Sequence, residues 1–232
     1  MQDEAIQIIF RSLSQPRIAP YYSHVAEDLT KVLARYFYNI AVCQSLYSSL
    51  HLLEITLRNQ LHQVFTAEYG SEGWYDLPAM NRILRINEHN KIRKVQDDLR
   101  KIRKELDPCN VITELSFGFW TSLFDSCYDI PFWRSLIAPA FPHMRRSIRT
   151  RQTLSKRLND IRRLRNRVFH HERVLHLHLA GHHAEIVEAI SWMNQELALL
   201  IARTDGFHSQ WTPGEEPFRT DFLKKLTNAD GQ

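Results

Sequence analysis

Leu46, Leu50, Leu53, Leu57, Leu61 and Val64 recur at spacings of three and four without interruption. At ~100° per residue such positions share one face, so this stretch buries its apolar side chains as a core helix. The pattern is helical over His24 to Phe65, with a break expected near Asn39 that would give two helices. A second stripe, Leu154, Leu158, Ile161, Leu164 and Val168, marks a helix beginning near Arg151. A third runs from Glu185 to Ala202 on Ile186, Val187, Ile190, Met193, Leu197, Leu200 and Ile201. No strand alternation appears in Cys109 to Pro142, and 7 Gly in 232 residues disfavours Gly-rich β architectures and phosphate loops. The chain is expected to be all-α.

Around these stripes, Asp3 to Leu13 reads as a short helix ended at Ser14-Gln15-Pro16, and Pro16 and Pro20 bracket an extended link. Met80 to Leu106 reads as one charged helix stopped by Asp107-Pro108. The aromatic region from Cys109 to Pro142, interrupted by Gly118, Pro131 and Pro139, reads as short helices packed into the core. Val174 to His183 is expected to be a connection ending in Gly181. From Thr204 the sequence turns polar, so one domain is expected over 1–205 with a peripheral tail over 206–232. Cys43, Cys109 and Cys127 are too scattered for a disulfide framework. The acidic start lacks a signal pattern, and no apolar run approaches the ~18 residues of a membrane span. A cytoplasmic protein with no membrane association is expected.

The net charge of +4 leans towards an anionic partner, but its distribution says more. Arg145 to Arg173 holds eleven Lys/Arg against two acids, Asp160 and Glu172. A phosphate-binding surface needs that concentration, and a merely solvated basic helix face would also produce it. Arg165 falls within the apolar stripe, where it must snorkel, find an anion or face a cavity. Asn166 and His170 are four apart on a neighbouring face. Arg165 and His170 are five apart, about 140° round an ideal helix. Either the helix breaks near Phe169 or a second copy of the chain completes the pair.

Arg165-Asn166-x-x-x-His170 resembles the R-x4-6-H signature of the HEPN superfamily of all-α nucleotide-binding domains and ribonucleases. With His171 and Glu172 following, it looks most like the Abi-like (abortive infection) branch. Leu53-Glu54 through Arg58-Asn59 resembles that branch's LE-x3-RN segment. Ser14-x-Pro16-Arg17 with Tyr21, Tyr69-Gly70 with Trp74, and Leu115 to Trp120 follow it in the same order. The resemblance implies a HEPN-like helical bundle with additional N-terminal helices. It also implies metal-independent RNA cleavage by a homodimer with a composite active site, in antiphage abortive infection or as a toxin.

The residue types suit that chemistry. RNA is cut without metal when its 2′-hydroxyl attacks the adjacent phosphorus, which needs a base, an acid and positive charge on the phosphoryl oxygens. His170 supplies proton transfer, Arg165 holds the phosphate, and Asn166 orients the ring or the phosphate. His171 is a supporting residue. Glu54 and Arg58 are spaced for an ion pair that either fixes the helix or holds Arg58 towards the Arg165 cleft. Arg162, Arg163 and Arg167 are candidate RNA contacts. The histidines from His170 to His183 lack an H-E-x-x-H order, so no metal or other cofactor is assigned. Partners are RNA, a second copy, and an antitoxin or activator protein. A non-catalytic RNA- or nucleotide-binding module and a protein-interaction scaffold remain as alternatives.

Overall fold

The computed structural model describes residues 2–24 and 26–228, and every regular element among them is helical. In chain order these are α1 (Gln2–Leu13), α2 (Gln15–Ile18), the long α3 (Leu29–Tyr69), α4 (Met80–Ile83), α5 (Ile86–Lys101), α6 (Pro108–Glu114), α7 (Phe117–Ser122) and α8 (Arg134–Ala140). Then follow α9 (Arg151–Phe169), α10 (Leu179–Ser191), α11 (Gln195–Thr204), α12 (Phe207–Trp211) and α13 (Glu215–Asn228). The chain divides into two compact units. The first takes the chain up to Ser48, then Leu164–His183, then the chain from Thr204 onward; the second takes Ser49–Arg163 and Ala184–Arg203.

The break expected at Asn39 does not occur, and α3 runs through it. Asn39 is 2% exposed. Its amide donates to the Glu172 carbonyl (3.2 Å) and accepts from the Val174 N–H (2.8 Å). A polar residue with both amide groups satisfied elsewhere has no reason to interrupt its own helix. Downstream the leucine stripe is buried as expected, except that Phe65 and not Val64 closes it. Residues 36–53 of α3 carry no charge, although polar residues interrupt them. An 18-residue window of α3, with mean hydropathy 1.2 and 33% buried, meets the length and composition of a membrane span, a test that a core helix also passes.

In the second unit, Phe65 packs at 4.6 Å from Trp74 and 4.9 Å from Phe132, and Trp133 stacks on Phe124 at 4.2 Å. Each of these tryptophans donates its indole N–H, as buried indoles require: Trp74 to His62 Nδ1, Trp133 to the Leu123 carbonyl. Burial holds His62 below its ordinary pKa, which keeps that nitrogen an acceptor. The single charged helix expected over Met80–Leu106 is two. Leu84 and Arg85 are extended between them because the Arg85 N–H turns to the Tyr128 hydroxyl at 3.0 Å. The helix expected over Glu185–Ala202 is also two, and the Asn194 side chain caps the start of α11 through the Leu197 N–H. Gly181 lies inside α10 and not at the end of a connection. A Cβ there would meet the His178 ring at 2.3 Å, so glycine lets that ring fold over the first turn.

The first unit centres on Ile6, Ile18, Tyr21, Val32 and Leu33. Residues after 205, expected to be a peripheral tail, form α12 and α13. Phe207 is fully buried and stacks on His183 at 4.4 Å, and His183 pairs with Asp205 at 2.5 Å. Phe218 and Phe222 of α13 lie at 5.5 and 5.1 Å from Tyr38 and Phe37 of α3. Arg35 binds Glu27 at 3.0 Å and Glu215 at 3.3 Å.

Candidate functional site

Helix α9 ends at Phe169, the first of the two alternatives left open by the Arg165–His170 spacing. The end is a Schellman closure: the Glu172 N–H reaches the Arg167 carbonyl (2.9 Å) and the His171 N–H reaches that of Val168 (3.2 Å). His171 occupies the left-handed position that glycine usually fills, at φ 58°. Arg17 of α2 donates to the His171 carbonyl at 2.9 Å and pins this turn. The chain therefore leaves the helix axis one residue after His170.

His170 and Asn166 are exposed, linked through the His170 N–H to the Asn166 carbonyl at 2.8 Å. Neither side chain makes a hydrogen bond to another described residue, so both are available to a ligand or a second chain. Arg165 is half-buried, with its guanidinium over the Phe169 ring at 4.3 Å. The ring's negative face attracts the guanidinium and steadies it there. Phe169 in turn lies 5.5 Å from Tyr47 of α3.

Two cavities adjoin this turn. The first, about 590 Å³, is lined by Tyr36, Ile40, Gln44, Tyr47 and Phe169 among others. Cys43 also lines it, but burial pushes its thiol up to about 11, so it is no thiolate nucleophile near neutral pH. The second, about 470 Å³, is lined by Arg17, Tyr21, Arg167, His171, Arg173 and His176, with Glu172. Arg167 sits 3.7 Å from Glu172. Arg173 donates to the Pro20 carbonyl at 2.6 Å and lies over the Tyr21 ring. Burial pushes the Tyr21 hydroxyl up to about 12, so it remains a donor.

The other sequence-derived residues lie in the second unit. Glu54 accepts from the Phe117 N–H at 3.0 Å, the first residue of α7. Arg58 donates to Asn59 Oδ1 (3.1 Å) and to the Thr113 carbonyl (3.4 Å), so its hydrogen bonds go elsewhere than to Glu54. Arg162 bonds Asn159 at 3.0 Å, and Arg163 pairs with Asp160. None of these four lines the two cavities of the first unit. No group of three or more His, Cys, Asp or Glu side chains able to hold a metal gathers among the described residues.

The chain matches no protein family, no curated protein and no solved structure with which it was compared. Residues that sequence alone did not single out as site candidates are Tyr36, Gln44, Tyr47, Phe169 and Arg173. Tyr36, Ile40, Cys43 and Tyr47 do repeat at four, three and four, a second stripe on α3 beside the leucine one.

Proposed function

We propose that the chain is a metal-independent endoribonuclease of the HEPN type, close to the Abi-like branch, acting in the cytoplasm in abortive infection or as a toxin. The observation that supports this most is the end of α9. It leaves His170 and Asn166 exposed within a turn of an aromatic-supported Arg165, beside a cavity rich in arginine. In a homodimer each chain contributes one His170. One takes the 2′-OH proton as O2′ attacks phosphorus, and the other protonates O5′ as the P–O5′ bond breaks. Arg165 carries the charge that builds on the phosphoryl oxygens. The products are a 2′,3′-cyclic phosphate and a 5′-hydroxyl.

The basic cavity also favours a second reading, an RNA- or nucleotide-binding module without catalysis. RNA digestion in EDTA, wild type beside His170→Ala, separates the two. Fragments with 2′,3′-cyclic ends from wild type alone support the enzyme. Cleavage by purified His170→Ala at the wild-type rate sinks the assignment, and a salt-sensitive gel shift without fragments leaves the binding module.

A further inference from the structure

The two cavities of the first unit meet at Arg17 and His171, which line both. Their walls differ in kind. One is made of rings, Tyr36 and Tyr47 from α3 and Phe169 from the end of α9, and its volume falls within the ~300–1,000 Å³ of small-molecule sites. Gln44 stands exposed at its edge, and its amide, which offers both a donor and an acceptor, makes no hydrogen bond to another described residue. The other is cationic. Arg17 and Arg173 direct their hydrogen bonds to backbone carbonyls, which fixes each guanidinium without cancelling its charge. Tyr21 also lines it, with the Arg173 guanidinium over its ring.

We propose that the two cavities form one subsite for a nucleotide unit. An unpaired base lies among Tyr36, Tyr47 and Phe169 with Gln44 at its edge, and its phosphate lies against Arg17, Arg173 and Tyr21. A purely apolar ligand leaves the Arg17 and Arg173 charges unanswered, and a lone anion leaves the ring-walled cavity unused. A nucleotide answers both, because rings stack on bases and arginine forks hold phosphate. Phe169 joins this subsite to the motif, since its ring carries the Arg165 guanidinium on one side and lines the cavity. The inference rests on the ribonuclease reading in one respect: it makes an unpaired base beside the scissile bond the feature by which RNA is chosen.

The test uses the full chain carrying His170→Ala, so that RNA stays intact. AMP, UMP, adenosine and uridine are titrated calorimetrically, and fluorescein-labelled octaribonucleotides with and without one abasic residue are followed by anisotropy. Monophosphates are expected to bind, and their nucleosides to bind much more weakly. Gln44→Trp, which fills the ring-walled cavity from an exposed position, should weaken monophosphates and octamers about tenfold, the usual scale for one stacked base. Gln44→Ala should weaken them a few-fold, with both variants checked for unchanged thermal melting. The abasic residue should cost the parent affinity and cost Gln44→Trp none. Monophosphate binding that Gln44→Trp removes, in a wild-type protein that never cuts RNA, supports the subsite and drops the ribonuclease reading. Equal affinities of parent and both Gln44 variants for every probe overturn the subsite, even where wild type cuts RNA. Failure of every probe to bind overturns it too. So does a Gln44→Trp variant that changes only the oligomeric state, which would make this face a contact between copies.

Discussion

Arginines of the second unit's surface and arginines beside the turn that ends α9 are held in two different ways. In the second unit, Arg157 holds Glu188 at 2.6 Å, Arg100 holds Asp97 at 2.7 Å, and Arg163 holds Asp160, so positive charge is matched locally. In the first, Arg17 and Arg173 are held by backbone carbonyls. A surface can be rich in arginine in both cases, but only the second arrangement leaves charge for an anion. The basic count that sequence provides therefore overstates one region and understates another.

The largest effect expected is at the motif. His170→Ala should lower RNA cleavage by roughly 100- to 10,000-fold, the scale of a lost general acid–base, in a gel assay in EDTA. Its melting temperature should not move, because the side chain is exposed. A mutation in the dry interior of the second unit should do the opposite. Phe132 is fully buried between Phe65 and Tyr128. Phe132→Ala should destabilise the protein by about 3–5 kcal/mol, read from the urea midpoint. Were His170→Ala to shift that midpoint as far, the motif would be structural and the contrast would fail.

Much of the scaffold was legible because helical periodicity is local. The stripe from Leu46 to Leu61 is buried residue by residue, and the spacing of Arg165 and His170 already offered the helix end at Phe169 as one solution. What was not legible depends on partners far along the chain. Arg17 and His171 are 154 positions apart, and Asn39, which fails to break α3, finds its acceptor at Glu172 and its donor at Val174, 133 and 135 positions away. The Glu54–Arg58 spacing suggested a pair that the Phe117 N–H and Thr113 carbonyl instead divide between them. Sequence spacing lists who can meet, and tertiary competition decides who does.

Acid should find the first unit through a carboxylate-held arginine, unlike Arg17 and Arg173. The Arg35 guanidinium, with help from the Ser23 N–H, holds the Glu27 carboxyl down from 4.5 to about 2. A folded pKa below the unfolded one stabilises the protein above the unfolded value, and that contribution is lost as pH falls from about 4.5 towards 2. With Glu27 only 7% exposed, the loss is roughly 2–3 kcal/mol. Glu27→Gln should flatten this acid limb in a pH series of thermal melts while leaving the limb above pH 5 lower but level.

The arginine contrast itself predicts a smaller effect. Arg173→Ala should weaken RNA binding about tenfold and reduce the salt slope by about one. Arg163→Ala, whose charge Asp160 already answers, should stay within about twofold. Equal losses in an anisotropy titration across salt concentrations would erase the distinction between carbonyl-held and carboxylate-held arginine.

The smallest effect separates the two roles left for His171. Its left-handed φ costs a non-glycine residue about 1 kcal/mol, and the Arg17 contact is to its carbonyl, which glycine keeps. His171→Gly should therefore raise the melting temperature, by roughly 2–4 °C if the full kcal/mol is recovered. If His171 acts only through its backbone, RNA cleavage stays at the wild-type rate. If its ring assists, cleavage falls while stability rises, since strain at a helix end persists in a functional site when the side chain it carries is needed there. A lower melting temperature would show that the ring's contacts in the two cavities outweigh the backbone strain, and that the turn is held by its side chain as well as by Arg17.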